Sequence, residues 1–203
     1  MQLTWYGHSC FLAESAEGSA VFDPYAPESV PGWRLPPLTA DIVLASHDHA
    51  DHNYAAGVTL TGRKPGFRVI ELAAYHDEQQ GSKRGENTIR VLESEGRRVA
   101  HLGDLGHGLT PSLADALQKL DVLLLPVGGF FTIGPEEAMQ IVDALKPRCV
   151  VPMHYSGRGF GYEVIAPVED FLKLVGSYTR LQTNSLTVGD HSGVVVLTAN
   201  NHA

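Results

Sequence analysis

Asp41-Ile42-Val43-Leu44-Ala45-Ser46 reads as a buried strand, and it runs straight into His47-Asp48-His49-Ala50-Asp51-His52. Three imidazoles and the carboxylate of Asp51 thus arrive within six residues of a strand's end. His47 and His49 are two apart, so extended backbone points both to one side, where they can share a metal ion. Asp51 and His52 follow where the chain must turn, and can serve a second ion beside the first. So many unneutralised donors crowd together in a soluble fold when a cation holds them.

Working outward, the first residues alternate as short antiparallel strands: Gln2 to Tyr6, Cys10 to Ala13, and Ser19 to Phe22, which Asp23-Pro24 stops. Residues 24–40 hold five of the twelve prolines and read as an irregular surface loop, in which Trp33 and Arg34 pin the loop to the body. After the cluster, Asn53 to Gly57 reads as a single helical turn. Phe67 to Tyr75 reads as a largely buried strand ending on His76. A polar loop over 77–86 leads to a hairpin, Asn87 to Glu93 and Arg97 to Leu102, which ends on Gly103-Asp104-Leu105-Gly106-His107.

From there helices alternate with strands. Pro111 fills the first-turn slot of a helix with Leu113, Leu117 and Leu120 on one face. Asp121 to Pro126 is an apolar strand. A helix launched at Pro135 places Ala138, Ile141, Val142 and Leu145 at i, i+3, i+4 and i+7. Cys149 to Met153 is a buried strand ending on His154. A third helix starts at Pro167, and a last strand spans Gly193 to Thr198. Asn200 to Ala203 are expected to fray. With no repeat or linker, residues 1–203 read as one domain.

Strand ends are where α/β architectures put their sites. Six of the ten histidines (His47, His49, His52, His76, His107 and His154) sit at such ends or just after them. The formal net charge of -8, with Lys plus Arg totalling 15, argues against nucleic acid as a partner, because such binding rests on phosphate neutralisation. It also gives no reason to expect an anionic membrane surface. Two distant cysteines, no visible signal peptide and no apolar run of about 20 residues lead to the expectation of a soluble, cytoplasmic protein.

These residues resemble the metallo-β-lactamase-fold hydrolases. The His-x-His-x-Asp-His signature stands as His47 to His52. The next histidine matches His76, the bridging aspartate Asp104, and the last histidine His154 in Pro152-Met153-His154-Tyr155. Within that superfamily the chain is similar to a compact group of Zn-dependent hydrolases that includes sugar-phosphate lactonases. The similarity lies in Tyr6-Gly7-His8-Ser9-Cys10-Phe11, His76-Asp77, Gly103 to His107 and Pro126 to Gly129.

The resemblance implies an α/β fold (α+β by some schemes), a four-layer αβ/βα sandwich of two mixed sheets flanked by helices. It implies two divalent metal ions, Zn²⁺ foremost with Mn²⁺ or Fe²⁺ also accepted. His47, His49 and His76 would hold one ion, Asp51, His52 and His154 the other, and Asp104 would bridge them. A hydroxide generated between the ions would attack a small ester, lactone or phosphodiester. An iron-containing oxidoreductase on the same ligands, and a non-catalytic metal-binding protein, are the alternatives.

Asp51, His8 and His107 are the candidate catalytic residues, the two histidines as donors to a substrate oxygen or leaving group. Asp48 and Asp77, each next to a ligand, are candidates to orient the imidazoles. Lys83, Arg84 and Arg158 follow His76 and His154 in glycine-bearing loops and are candidates to bind an anionic small-molecule substrate. Tyr155 is a further candidate substrate contact. His101, His191 and His202 read as structural or exposed. Oligomeric state is open.

Overall fold

The computed structural model describes residues 1–198, so the frayed tail expected at Asn200–Ala203, and His202 with it, lies outside the described residues. Two mixed sheets face each other. The first has five strands: β1 (Gln2–Trp5), β2 (Phe11–Ser15), β3 (Gly18–Phe22), β5 (Ile42–Leu44) and β13 (Ser185–Thr187), in the order β13-β1-β2-β3-β5. The second has seven: β7 (Arg68–Tyr75), β8 (Glu86–Ser94), β9 (Arg97–His101), β10 (Val122–Pro126), β11 (Cys149–Met153), β12 (Tyr178–Arg180) and β14 (Gly193–Val196), in the order β12-β14-β11-β10-β9-β8-β7. A small parallel pair, β4 (Leu38–Ala40) with β6 (Val58–Leu60), stands apart from both.

The sheets are joined by one continuous apolar core, and side chains cross between them. The His101 ring on β9 stacks on Phe22 of β3, with centroids 5.1 Å apart and planes at 6°. Ser94 on β8 donates to Ser15 on β2 at 2.9 Å. The helices α1 (Pro111–Ala116), α2 (Pro135–Leu145) and α3 (Val168–Val175) all follow strands of the larger sheet. Each starts as its sequence dictates. Thr110 caps α1 by accepting from the Leu113 N–H, and Pro135 opens α2 where its missing N–H costs nothing. The buried stripe Ala138, Ile141 and Leu145 of α2 faces the core, and α2 packs on α3.

What places the site is strand direction. β1 and β3 both run antiparallel to β2, and β5 is parallel to β3, so these three point the same way. In the larger sheet β9, β10 and β11 are parallel, and β7 shares their direction because both it and β9 run antiparallel to β8. β14 runs parallel to β11 and β12 parallel to β14, so nine of the described strands deliver their C-terminal ends to one edge of the sandwich.

Several expectations need correcting. The strand before His76 is not largely buried: among the described residues β7 is the outer edge of its sheet, pairs only with β8, and buries only Ala74. An edge strand has one neighbour to cover it, so its Val69, Ile70 and Leu72 are only half-buried. The loop over 24–40 ends in β4, and residues 178–187 hold β12 and β13. All three strands have three residues, too few for a period to register. Helix α1 stops at Ala116, one residue before Leu117, although Leu113, Leu117 and Leu120 are all buried.

Candidate metal centre

Six of these strand ends contribute a donor. His8 follows β1, Asp23 follows β3, and His47, His49, Asp51 and His52 follow β5. His76 follows β7, Asp104 follows β9 and His154 follows β11. Three groups of side chains bring potential ligand atoms within 4.8 Å of one another: His47/His49/His76, His8/Asp51/His52/His154, and His47/His52/Asp104.

Asp104 stands at the junction. Its Oδ2 lies 3.2 Å from His52 Nε2, 3.3 Å from His76 Nε2 and 3.2 Å from His154 Nε2. Glycine makes this approach possible. A Cβ on Gly106 would sit 2.3 Å from the His76 carbonyl carbon, and Gly103 turns at φ +55° with Asn87 and Ser46 where its Cβ would be. The Asn87 side chain then secures the turn, accepting from Asp104 N–H at 3.0 Å and donating to the Leu102 carbonyl at 2.9 Å.

Behind the candidate ligands lies a carboxylate that the sequence suggests only as a strand stop. Asp23 is fully buried and accepts from Ser46 N–H and Ser46 Oγ–H, both at 2.7 Å, and from His52 Nδ1–H at 2.8 Å. Ser46 Oγ, having donated to Asp23, accepts from His47 Nδ1–H at 2.9 Å. Asp23 therefore sets the tautomer of His52 directly and that of His47 through Ser46, leaving both Nε2 lone pairs facing the cluster. A donor at the C-terminal end of β3 repeats the pattern seen at β5, β7, β9 and β11, and that repetition was the signal available in the sequence. Asp48 and Asp77 do other work. Asp48 accepts from the Asn53 side chain, and Asp77 accepts four backbone N–H groups, of Gln79, Gly81, Lys83 and Arg84.

The donor set fits cations. With its proton on Nδ1, the neutral His52 ring would aim a lone pair at the Asp104 oxygen, two acceptors 3.2 Å apart. Burial opposes protonation here, yet the Asp104 and Asp23 carboxylates outweigh it and raise the His52 pKa well above the usual imidazole value. A divalent cation between the two groups removes the conflict without a proton. Buried nitrogens or oxygens without hydrogen-bond partners include His47 Nε2, His52 Nε2, His154 Nε2, both His8 ring nitrogens and Asp104 Oδ1. Orphaned buried polar atoms are rare, and a cluster of them is a donor set that a cation would satisfy.

Three of the nine non-glycine residues with positive φ among the described residues lie at the same place. His8, Asp23 and His154 adopt left-handed conformations (φ 51°, 42° and 53°), which non-glycine residues hold only when the surroundings impose them. Trp5 Nε1–H and the His154 N–H both donate to the His8 carbonyl, at 3.0 and 3.3 Å. His101 ties the first loop to the Asp104 turn, bonding the Ser9 carbonyl through Nε2 at 2.8 Å and accepting from Gly103 N–H through Nδ1.

The remaining candidates separate. His8 is buried, with Nε2 3.5 Å from Asp51 Oδ2. Burial and the neighbouring His154 lower its pKa to about 3. His107 has both ring nitrogens engaged by backbone, Nε2 accepting from Tyr75 N–H and Nδ1–H donating to the Gly108 carbonyl. This corrects its reading as a free proton donor. Tyr155 is corrected too: its ring is buried against Trp5 and Phe160, centroids 5.6 and 6.1 Å away. The tyrosine at the cluster is Tyr162, whose hydroxyl lies 2.6 Å from the Ser29 carbonyl and 3.1 Å from Asp51 Oδ2. Arg158 stands exposed on the 156–161 loop, whereas Lys83 and Arg84 line a cavity of about 380 Å³ that opens beside His76.

The profile of the beta-lactamase superfamily domain matches residues 2–154, three-quarters of the chain. The chain belongs to the metallo-β-lactamase superfamily and is a metal-dependent hydrolase. Among its relatives, a UPF0173 metal-dependent hydrolase of Methanoculleus marisnigri is 34% identical, over 94% of this chain and 95% of that one. Another, of Desulforamulus reducens, is 33% identical over 77% and 85%. A crystal structure from Thermotoga maritima, described as a Zn-dependent hydrolase of the same superfamily, superposes with a TM-score of 0.78 at 36% identity. It covers 98% of this chain and 99% of that one.

Proposed function

We propose that the chain is a binuclear hydrolase of small esters, lactones or phosphodiesters. The observation that carries this reading is the position of Asp104 Oδ2, within 3.3 Å of imidazoles from both ligand sets, His76 on one side and His52 and His154 on the other. His47, His49 and His76 would hold one ion and Asp51, His52 and His154 the second. The imidazole-rich set favours Zn²⁺, with Mn²⁺ or Fe²⁺ compatible. Two bound divalent cations supply an activated water, its pKa brought from ~15.7 toward ~7, together with positive charge for the developing oxyanion.

The protein's own groups provide the rest. Asp23 and Ser46 hold the His52 and His47 rings at fixed orientations. Tyr162 keeps its proton, because burial and the Asp51 carboxylate raise its pKa, and its single O–H is shared between the Ser29 carbonyl and the Asp51 carboxylate. His8, neutral throughout the physiological range, acts as a hydrogen-bond donor or proton acceptor beside Asp51 rather than as a standing acid. No helix among the described residues is long and apolar enough to cross a membrane, and Cys10 and Cys149 are buried and unpaired, which supports a reducing, cytoplasmic setting.

The test is turnover of 4-nitrophenyl acetate, γ-butyrolactone and bis(4-nitrophenyl) phosphate by protein of known metal content. The reading predicts hydrolysis within this panel that a chelator abolishes and added zinc or manganese restores. Full metal content with no turnover anywhere in a broadened ester, lactone and phosphodiester panel would contradict it.

A further inference from the structure

The cavity beside His76 has a chemistry that the metal cluster does not explain. Its rim is formed by the 77–85 loop on one side and the 128–134 loop on the other. The first loop is wound around the Asp77 carboxylate, whose two oxygens accept four backbone N–H groups at 2.7–3.0 Å. Those bonds absorb the Asp77 charge and fix the backbone of Arg84. The Arg84 guanidinium has no carboxylate partner among the described residues and lies 5.8 Å from the centroid of the Phe131 ring. By contrast, Arg63, Arg68, Arg90, Arg97, Arg98 and Arg180 each pair with an acid.

The second loop presents aromatic surface where burial would be expected. Phe130 adopts a left-handed backbone (φ 61°) and is 62% exposed, and Phe131 packs against it with centroids 4.8 Å apart. A strained turn that holds a large apolar ring in water is a feature that function maintains. The aromatic wall continues inward: Phe131 to Tyr162 at 5.6 Å, and Tyr162 to His8 at 5.8 Å. It therefore leads from solvent to the ligand cluster. Of the acids on the same rim, Glu137 is occupied in capping Gly134 N–H at 3.1 Å, and Glu78 is exposed.

We infer that this cavity is the selectivity pocket of the enzyme, taking a substrate with a flat apolar body and a separate anionic group, the body on Phe131 and the anion on Arg84. The volume, in a cleft open to solvent on one side, suits a ligand of roughly ten to fifteen heavy atoms. Arg84 supplies a planar fork for a carboxylate or phosphate, and Lys83 on the same rim adds a second positive charge. The inference rests on the hydrolase reading for the term substrate, but the binding it describes is measurable without turnover.

The test is calorimetric binding of 3-phenylpropionate and its uncharged amide, 3-phenylpropanamide, to metal-loaded, full-length protein. The wild type is expected to prefer the acid by about tenfold or more, the scale of one charge-assisted hydrogen bond. Arg84→Gln should abolish that preference with the melting temperature unchanged, and Phe131→Ala should weaken both ligands. Equal binding of acid and amide by the wild type would overturn the proposal. So would an acid preference that survives Arg84→Gln, because the metals would then be holding the carboxylate. Full metal content with no turnover in the broadened panel above would sink the ester, lactone or phosphodiester reading while leaving these binding outcomes to decide the pocket.

Discussion

The two sheets equip the centre differently. On the side of the five-stranded sheet, His47 and His52 have their outer nitrogens committed to a lattice of hydrogen bonds that converges on Asp23. On the side of the seven-stranded sheet, the Nδ1 atoms of His76 and His154 are buried and have no hydrogen-bond partner among the described residues. One half is therefore oriented by the protein before any cation arrives. The other half is brought close by backbone turns at Gly103 and Gly106, which the Asn87 side chain braces, and would be oriented by the ions themselves. Fixed imidazoles raise affinity because less ordering is needed on binding. Looser ones let the site adjust as a substrate displaces solvent.

Substitutions can break or sharpen this contrast. Asp104→Ala, which removes the carboxylate both halves share, should have the largest effect: loss of metal from both ligand sets and turnover below detection, read by elemental analysis and assay. Asp23→Ala comes next. It leaves the Ser46 N–H and the His52 Nδ1–H unpaired in the interior. It should cost about 3–5 kcal/mol in chemical denaturation and about 10–100-fold in metal affinity. Asn87→Ala, on the other side, should weaken metal binding less than Asp23→Ala. Equal losses would refute the asymmetry.

A smaller effect is expected from pH on the metal-free protein. Burial lowers the His8 pKa to about 3 and the His47 pKa to about 4, and it also lowers His76 and His101. An unfolded imidazole titrates near 6.5. Below that value the unfolded chain takes up protons that these four rings refuse, so stability falls as pH drops from about 6.5 toward 4. His52 acts in the opposite sense, its raised pKa contributing stability below 6.5 that is lost as pH rises. Four lowered groups outweigh one raised group. Denaturation at pH 7.5 and pH 5.5 should show a loss on the order of 1 kcal/mol or more in the acid. A flat profile would mean that these rings are not held neutral.

Much of this was legible in the sequence because ligands come from a short motif and from strand ends. His47 to His52, His76, Asp104 and His154 announced themselves by chemistry and context, and the structure brings all of them to one edge. Asp23 was not read, because Asp-Pro is also how a strand ordinarily stops, and only tertiary proximity reveals the bonds to His52 and Ser46. Asp48 and Asp77 looked better placed by adjacency, but their carboxylates turn to a neighbouring side chain and to loop amides. Tyr155 neighbours a ligand in sequence yet points into the core, whereas Tyr162 reaches Asp51 from a loop with no motif. Strand β7 was misjudged because apolar residues say that one face packs, not how many strands lie beside it.

The account depends most on there being two ions with Asp104 between them. Anomalous diffraction at the zinc edge from metal-loaded crystals tests this directly. Two peaks roughly 3.5–4 Å apart are expected. One should lie among His47, His49 and His76 and the other among Asp51, His52 and His154, with an Asp104 oxygen between them. A single peak in fully loaded, active protein, or peaks that leave Asp104 without a metal contact, would contradict it.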